Sequence, residues 1–196
     1  MRTDQDLITA MAANDERSLT ELYARYGTMV YNLVLINLQK TEAAEEITQD
    51  VFLEAFRSAA KFEQRSEVKT WLYRIAVNKS LDRIRRDNAQ KRSLWKNVLS
   101  ISGRPDVARQ LPGDFDHPGI QLENKETARE LFRAIYQLNE RQKTAFVLAF
   151  VENLPRKEVA SIMQVTDKSL EGLLQRAKSR LRELLQGAYP NRRKNY

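Results

Sequence analysis

Helical periodicity is the feature that most constrains what this chain can fold into. Apolar residues recur at steps of three and four along both halves of the sequence, whereas alternating β-branched runs are nearly absent and no Asn-Gly or Asp-Gly hairpin turn occurs. Between the halves, the segment SGRPDVARQLPGDFDHPG holds three of the five prolines and three of the six glycines, which oppose continuous helix. The sequence therefore predicts an all-α fold of two small helical domains joined by a flexible linker.

Changes in net charge and in the frequency of proline and glycine along the chain predict the boundaries of these domains. The predicted first domain covers residues 1–92, the linker 93–124, the second domain 125–187 and a basic tail 188–196. The composition of the linker is compatible with an extended tether between the two domains.

Composition excludes several classes of protein. Among 196 residues there is no Cys, which removes disulfides, thiolate zinc sites and cysteine nucleophiles. No apolar run approaches the ~20 residues needed to span a bilayer, and the first residues do not resemble a signal peptide. With 42% hydrophobic residues the chain can bury a core. We expect a soluble cytoplasmic protein with no membrane insertion.

The distribution of charge points to a polyanionic partner. The chain carries 33 Lys and Arg against 26 Asp and Glu, for a net charge of +7. Residues 1–54 are net −6, residues 55–92 net +7, residues 93–124 net −1, and residues 125–196 net +7. Two basic blocks on either side of a near-neutral segment favour nucleic acid as the partner, although composition alone is weak support.

The first domain contains three predicted helices. The apolar stripe of the first helix is Leu19, Leu22, Tyr23, Tyr26, Met29, Val30 and Leu33. The second helix begins near Thr41 and carries acidic and polar residues on one face, followed by Leu53. That leucine is either a protein contact or an isolated exposed residue, and the pattern leaves both open.

The third helix of the first domain combines an apolar face with a basic stripe. Thr70 is its predicted N-cap. Arg74, Asn78, Asp82 and Arg85 follow at steps of four, four and three, so they share one face. Arg and Asn suit contacts to phosphates and base edges, which makes this a candidate nucleic-acid helix. A solvated basic helix would show the same pattern.

Capping and turn residues in the second domain predict a helix-turn-helix. Asn139 with Gln142 resembles a capping box, and Pro155 is expected in the first turn of the next helix. After a short turn at 165–167, a longer helix runs to about Leu185. Its polar face offers Lys168, Ser169, Glu171, Gly172, Gln175, Arg176 and Lys178. A three-helix unit that binds no DNA has the same periodicity.

Catalytic signals are weak. The only histidine, His117, lies in the linker beside Asp114 and Asp116, and one histidine on such a segment is a poor metal site. Glu45 and Glu46 are adjacent on a helix and point in different directions, so they form a poor acid–base pair. No glycine-rich phosphate loop or nucleophile motif occurs. We expect no catalysis, no cofactor and no bound metal.

An ordered series of motifs resembles the bacterial extracytoplasmic-function (ECF) sigma factors of RNA polymerase. The series begins with LYARYGTMVYNLVL and AAEEITQDVFLEAFRS and continues with KFEQRSEVKTWLYRIAVNKSLDRIRR. It ends with LNERQKTAFVLAFVENLPRKEVASIMQVTDKSLEGLLQRAKSRLRELL. Together these segments cover nearly everything outside the linker and tail. The resemblance implies an alternative sigma factor that binds core RNA polymerase, directs it to specific promoters and assists promoter opening.

The resemblance also implies roles for individual residues. The polymerase-binding set is Glu46, Gln49, Asp50 and Leu53. The set of the first domain that reads the downstream promoter element is Phe62, Arg65, Lys69, Arg74, Asn78, Lys79, Asp82, Arg83 and Arg86. In the family the loop equivalent to 62–69 accepts a flipped-out base, and flipping costs a few kcal/mol that pocket contacts must offset. The set of the second domain that reads the upstream element is the polar face of its last helix, formed by Lys168, Ser169, Glu171, Gly172, Gln175, Arg176 and Lys178.

One departure from the family pattern affects promoter specificity. Glu171 and Leu173 stand where the common pattern has basic residues, which weakens phosphate attraction unless Glu171 accepts from a cytosine amino group. The promoter sequence is therefore not readable, nor are the inducing signal and the regulated genes. The family further implies an anti-sigma protein as a partner. The alternative interpretation is a stand-alone helix-turn-helix transcriptional regulator that binds an operator without polymerase.

Overall fold

The fold is helical in both units of the chain. The computed structural model describes residues 2–63, 66–98 and 125–186. Within these residues every regular element is a helix, and the chain divides into two units, Met1–Pro112 and Gly113–Tyr196. The predicted all-α fold class is confirmed. The predicted tail and most of the predicted linker lie outside the described residues.

The first unit consists of four helices and a short 3₁₀ turn. These are α1 (Asp4–Ala12), α2 (Glu16–Leu38), α3 (Thr41–Ser58), the turn Ala59–Lys61, and α4 (Val68–Val98). Helices α2, α3 and α4 pack against one another, and α1 packs against α2. The predicted start of α3 at Thr41 is confirmed.

Helix α1 was not predicted, although the sequence carries a signal for it. Thr3 and Asp6 form a capping box, in which the Asp6 backbone N–H donates to the Thr3 hydroxyl at 3.1 Å. In return, the Thr3 backbone N–H donates to the Asp6 carboxylate at 2.8 Å. These reciprocal bonds satisfy two otherwise unpaired donors at the start of the helix. Leu7 and Met11 then lie one turn apart and are buried against the rest of the unit.

The core of the first unit comes from one face of each helix. Its fully buried large side chains include Leu22 and Leu33 of α2, Ile47 of α3, and Leu72 and Tyr73 of α4. Burying each such side chain stabilises the fold by roughly 1.5–3 kcal/mol. The apolar stripe predicted for α2 is wider than its buried face, because Tyr23 is 46% exposed.

Helix α4 differs from its prediction at both ends. It begins at Val68, so the predicted N-cap at Thr70 is wrong. The Trp71 N–H already bonds to the Glu67 carbonyl at 3.1 Å, and Thr70 is buried within the first turn. At the other end α4 continues past residue 92 as far as Val98, so the first residues of the predicted linker are helical.

The second unit contains the predicted helix-turn-helix. Its elements are α5 (Lys125–Tyr136), α6 (Glu140–Phe146) with a π-helical continuation Val147–Val151, α7 (Arg156–Met163) and α8 (Asp167–Gln186). Asn139 is the N-cap of α6 and accepts from the Gln142 N–H at 3.0 Å, which confirms one bond of the predicted capping box. The return bond from the Asn139 N–H to the Gln142 side chain is not formed among the described residues. The prediction that Pro155 lies in the first turn of α7 is wrong, because Pro155 is the N-cap of that helix.

The turn between α7 and α8 is short and well capped. Gln164 adopts a left-handed conformation with φ of 52°, which ends α7. The Thr166 hydroxyl then accepts from the Ser169 N–H at 3.2 Å and caps α8. Leu170, Leu174, Ala177 and Leu181 of α8 are buried, so α8 packs on α5, α6 and α7 through one face. The opposite face is left to solvent.

Two residues of α3 test the assignment of its faces. Ile47 is 1% exposed, whereas Leu53 is 46% exposed. We expect Ile47→Ala to lower the free energy of unfolding by about 2–5 kcal/mol because it leaves a cavity. Leu53→Ala is expected to change it by less than about 1 kcal/mol. Urea denaturation followed by circular dichroism measures both, and equal losses for the two variants would contradict the assignment.

Candidate nucleic-acid and protein interfaces

One stripe of α3 presents the residues predicted to bind polymerase. Glu46, Gln49, Asp50 and Leu53 follow at helical steps of three and four, and they lie opposite the buried Ile47 and Val51. Glu46, Gln49 and Leu53 are exposed and Asp50 is half-buried. The stripe joins acidic and amide groups to one large apolar side chain, a combination suited to a protein contact.

Tyr23 of α2 adds an aromatic side chain that the sequence analysis did not assign to a surface. Its ring lies 4.8 Å from the ring of Phe52, the residue next to Leu53. It also lies against Gly27, where an added Cβ would meet the tyrosine ring at 3.1 Å. The sequence carried one signal for this exposed ring: the predicted apolar stripe of α2, which includes Tyr23, is too wide to be buried completely on one helix face. The ring is held against the helices on one side and remains 46% exposed.

The outer face of α4 carries the predicted nucleic-acid residues. Asn78, Asp82 and Arg86 are exposed, and Arg74 is half-buried. Asp82 accepts from Arg85 at 2.9 Å, so its carboxylate is partly neutralised. The Asn78 amide, which can both donate and accept, makes no hydrogen bond within the described parts of the chain. This is the arrangement that base-edge contacts require.

Two cations of the predicted nucleic-acid set are paired with α3. The Arg83 guanidinium donates to Glu46 at 2.7 Å and to Asp87 at 3.1 Å. Lys79 lies 3.8 Å from the Glu54 carboxylate. The hydrogen bond that Arg83 donates to Glu46 raises the pKa of Arg83, and the one that it donates to Asp87 adds to that effect. The structure thus brings together a residue of the predicted polymerase set and one of the predicted DNA set, which no local pattern had indicated.

Aromatic packing defines the start of α4. The rings of Phe62 and Trp71 lie 4.8 Å apart, and both are half-buried. Lys69 lies 5.6 Å from the ring centroid of Tyr73. Because Tyr73 is fully buried, it belongs to the core and is not available to stack on a base. Arg65, also predicted to contact DNA, lies outside the described residues.

Helix α8 presents the predicted recognition face. Lys168, Ser169, Glu171, Gln175, Arg176 and Lys178 are exposed, and Gly172 is half-buried. Leu173 is 8% exposed and belongs to the core, which accounts for one of the two departures from the basic family pattern. Arg176 folds back over Gly172, so that a Cβ there would meet a guanidinium nitrogen at 3.3 Å. Glu171 forms no ion pair within the described residues.

Two searches of the described residues found nothing further. No helix there is long and apolar enough to cross a membrane. Nor do three or more Asp, Glu or His side chains gather there as a metal site would require. The predicted linker residue His117 lies outside the described parts of the chain.

Comparisons with known proteins agree with the two-unit arrangement. The family model for Sigma-70 region 2 matches residues 22–90, and the one for Sigma-70 region 4 matches residues 128–181. The two matches together span more than half of the chain. The first match covers most of α2, all of α3 and most of α4, and the second covers most of α5 and the helix-turn-helix up to residue 181.

Curated relatives match along nearly the whole chain. The ECF RNA polymerase sigma factor SigM of Mycobacterium tuberculosis is 27% identical over 184 residues, which cover 94% of this chain and 85% of SigM. The ECF RNA polymerase sigma-E factor of Haemophilus influenzae is 28% identical over 185 residues, covering 94% and 96%. SigW of Bacillus subtilis is 24% identical over 180 residues, covering 91% and 94%.

Solved structures show the same fold. A sigma factor RpoE, solved with the anti-sigma factor NepR from Bartonella quintana, aligns with a TM-score of 0.64 at 18% identity, covering 85% of this chain and 96% of RpoE. CnrH, solved with the cytosolic domain of CnrY, aligns with a TM-score of 0.61 at 21% identity, covering 94% and 97%. With both regions matched in order and with relatives along its length, the chain belongs to the ECF sigma factors, which direct RNA polymerase in transcription initiation.

Proposed function

We propose that α3 docks this sigma factor on core RNA polymerase through Glu46, Gln49, Asp50 and Leu53. The observation that carries the proposal is that these side chains form one stripe above a buried face, with Asp50 half-buried and the other three exposed. A docking surface needs groups that are accessible before binding and are held in place by a rigid element. The exposed ring of Tyr23, packed on Phe52, extends the same surface with apolar area.

The promoter contacts of the proposal lie on two helices. In the first unit, the downstream element would be contacted by Phe62, Arg65, Lys69, Arg74, Asn78, Lys79, Asp82, Arg83 and Arg86, of which Lys69 lies in the first turn of α4. In the second unit, α8 would lie in the major groove of the upstream element, as recognition helices of helix-turn-helix domains do. The net positive charge of both regions supports this proposal.

The remaining parts of the proposal concern chemistry, location and control. We propose that the chain acts in the cytoplasm, where it positions polymerase and catalyses no bond chemistry itself. An anti-sigma protein is a further proposed partner, since RpoE, which shares the fold, was solved with one. We propose the domain limits 1–92, 93–124, 125–187 and 188–196, with α4 extending into the second of these ranges.

Run-off transcription tests the whole proposal. Purified core polymerase on genomic DNA fragments is expected to give discrete new start sites when this protein is added. Those start sites should share an upstream and a downstream sequence motif. If no new starts appear and the protein does not bind core polymerase, the sigma proposal is wrong. Tight sequence-specific DNA binding without polymerase would then favour a stand-alone regulator.

The docking surface has its own test. We expect Gln49→Ala with Asp50→Ala to weaken binding to core polymerase about tenfold, because truncating a hydrogen-bonded polar group in an interface leaves its partner unpaired. Fluorescence anisotropy of labelled protein titrated with core polymerase measures this. Gln137→Ala, at an exposed glutamine of the second unit, serves as the control. Normal affinity of the double variant, with its helicity unchanged, would contradict the docking assignment.

The ion pair between Glu46 and Arg83 separates the two proposed interfaces. Although the residues contact each other, we expect Glu46→Gln to weaken polymerase binding and Arg83→Gln to weaken DNA binding. The pair is partly exposed, at 60% for Glu46 and 25% for Arg83, so losing it should cost less than about 1 kcal/mol of stability. Titrations with core polymerase and with duplex DNA distinguish the two effects. If both variants changed only the unfolding midpoint, the pair would be purely structural.

A further inference from the structure

An exposed aromatic ring lies beside the helix-turn-helix and has no role in the functions proposed above. Phe150, near the end of the π-helical continuation of α6, is 39% exposed. Its ring lies 4.9 Å from that of Phe146 at an interplanar angle of 41°. Stacking on Phe146 fixes the position of the ring, because tilted aromatic pairs at this distance attract each other.

Two cations from different helices converge on this ring. The guanidinium carbon of Arg156, the first residue of α7, lies 4.9 Å from the Phe150 centroid. The Lys178 ammonium of α8 lies 4.6 Å from the same centroid. Both distances are within the range of cation–π attraction. Phe150 therefore joins a side chain of the first helix of the motif to one of the recognition helix.

Neither cation is neutralised by a carboxylate. Arg156 and Lys178 are exposed, and within the described residues neither forms an ion pair. Two like charges near one ring repel each other, and an anion that contacts both would offset this repulsion. The surroundings differ from those of Arg83 and Lys79 in the first unit, each of which already has an acidic partner.

The start of α7 adds to the attraction for an anion. Its N-cap is Pro155, which makes no side-chain cap bond. The positive end of the helix dipole thus lies beside Arg156. Glu158, the acidic residue of this turn, is half-buried, whereas Arg156 and Lys157 are exposed. The accessible charge at this end of α7 is therefore positive.

We propose that Arg156 and Lys178 together bind one backbone phosphate of promoter DNA, and that Phe150 is the positioning residue that holds both cations for it. The proposal rests on the proposed role of α8 in binding duplex DNA. In helix-turn-helix domains the first helix crosses the DNA backbone while the second enters the major groove. A contact shared by both helices would fix how deeply and at what angle α8 enters. Arg156 becomes a DNA contact that the sequence had not indicated.

The salt dependence of DNA binding tests the phosphate contact. The full-length chain is titrated with a short mixed-sequence DNA duplex over a series of KCl concentrations. We expect the double variant Arg156→Gln/Lys178→Gln to reduce the slope of log K against log[salt] by about 0.9, the value for one phosphate. The matched control Lys157→Gln/Arg182→Gln also removes one exposed charge from α7 and one from α8, but neither residue contacts Phe150. A slope change no larger than that of the control would overturn the proposal.

A double-mutant cycle tests the role of Phe150. Phe150→Leu keeps an apolar side chain but removes the ring, and we expect it to weaken DNA binding about threefold or more, as the loss of two cation–π contacts implies. Phe150→Tyr should bind nearly as the original chain does. In the Arg156→Gln/Lys178→Gln background, Phe150→Leu should have no further effect, because a positioning residue acts only through the groups it positions. If Phe150→Leu lowered DNA affinity equally in the original chain and in the double variant, the role of the ring would be merely structural. The same would hold if it lowered thermal stability without changing DNA affinity.

Two other outcomes would also decide against the proposal. If the variants bind DNA normally but bind core polymerase more weakly, the two cations face an acidic protein surface and not a phosphate. Run-off transcription with the original chain is measured in parallel. Failure of transcription with normal duplex binding would contradict the sigma function alone, whereas normal transcription with unaffected variants would contradict the phosphate contact alone.

Discussion

The packing of α4 against α2 and α3 is the constraint on which the first unit depends. Leu72, Tyr73, Ala76 and Val77 are all buried, so the rotation of α4 about its own axis is fixed. Residues on the opposite side, such as Asn78 and Asp82, must then face outward. The exposed polar stripe proposed to face the promoter is therefore determined by hydrophobic burial, and its polar residues need supply no stability of their own.

The same packing places the two proposed interfaces of the first unit side by side. Residues from α3 and α4 meet as Glu46 with Arg83 and as Glu54 with Lys79. Partly exposed pairs of this kind contribute little stability, since water screens them and long side chains lose freedom on pairing. They can orient a cation and still release it to a phosphate at small cost. The pairs thus suit residues whose other partner arrives only in the promoter complex.

Local patterns account for what the sequence could predict. Periodicity indicated α2, α3, α4 and the helices from α6 to α8 but missed α1 and α5, and the cap at Asn139 indicated the start of α6. The start of α4 was misplaced because Thr70 resembles a cap, whereas burial places it inside the first turn. Contacts between distant residues leave no such pattern: Glu46 and Arg83 are separated by 37 positions. The convergence of Arg156 and Lys178 on Phe150 likewise depends on the folded arrangement of three elements.

Amphipathic packing also limits how α8 can read a promoter. Burial of Leu170, Leu173 and Leu174 removes these positions from the recognition face. What remains exposed near the start of the helix is an aspartate, a lysine, a serine and a glutamate at 167, 168, 169 and 171. Accessible carboxylates repel phosphates unless a base amino group pairs with them. In the proposed promoter contact, few side chains of α8 would consequently carry the specificity. Their depth in the groove, which backbone contacts set, matters more than it would for a helix rich in arginine.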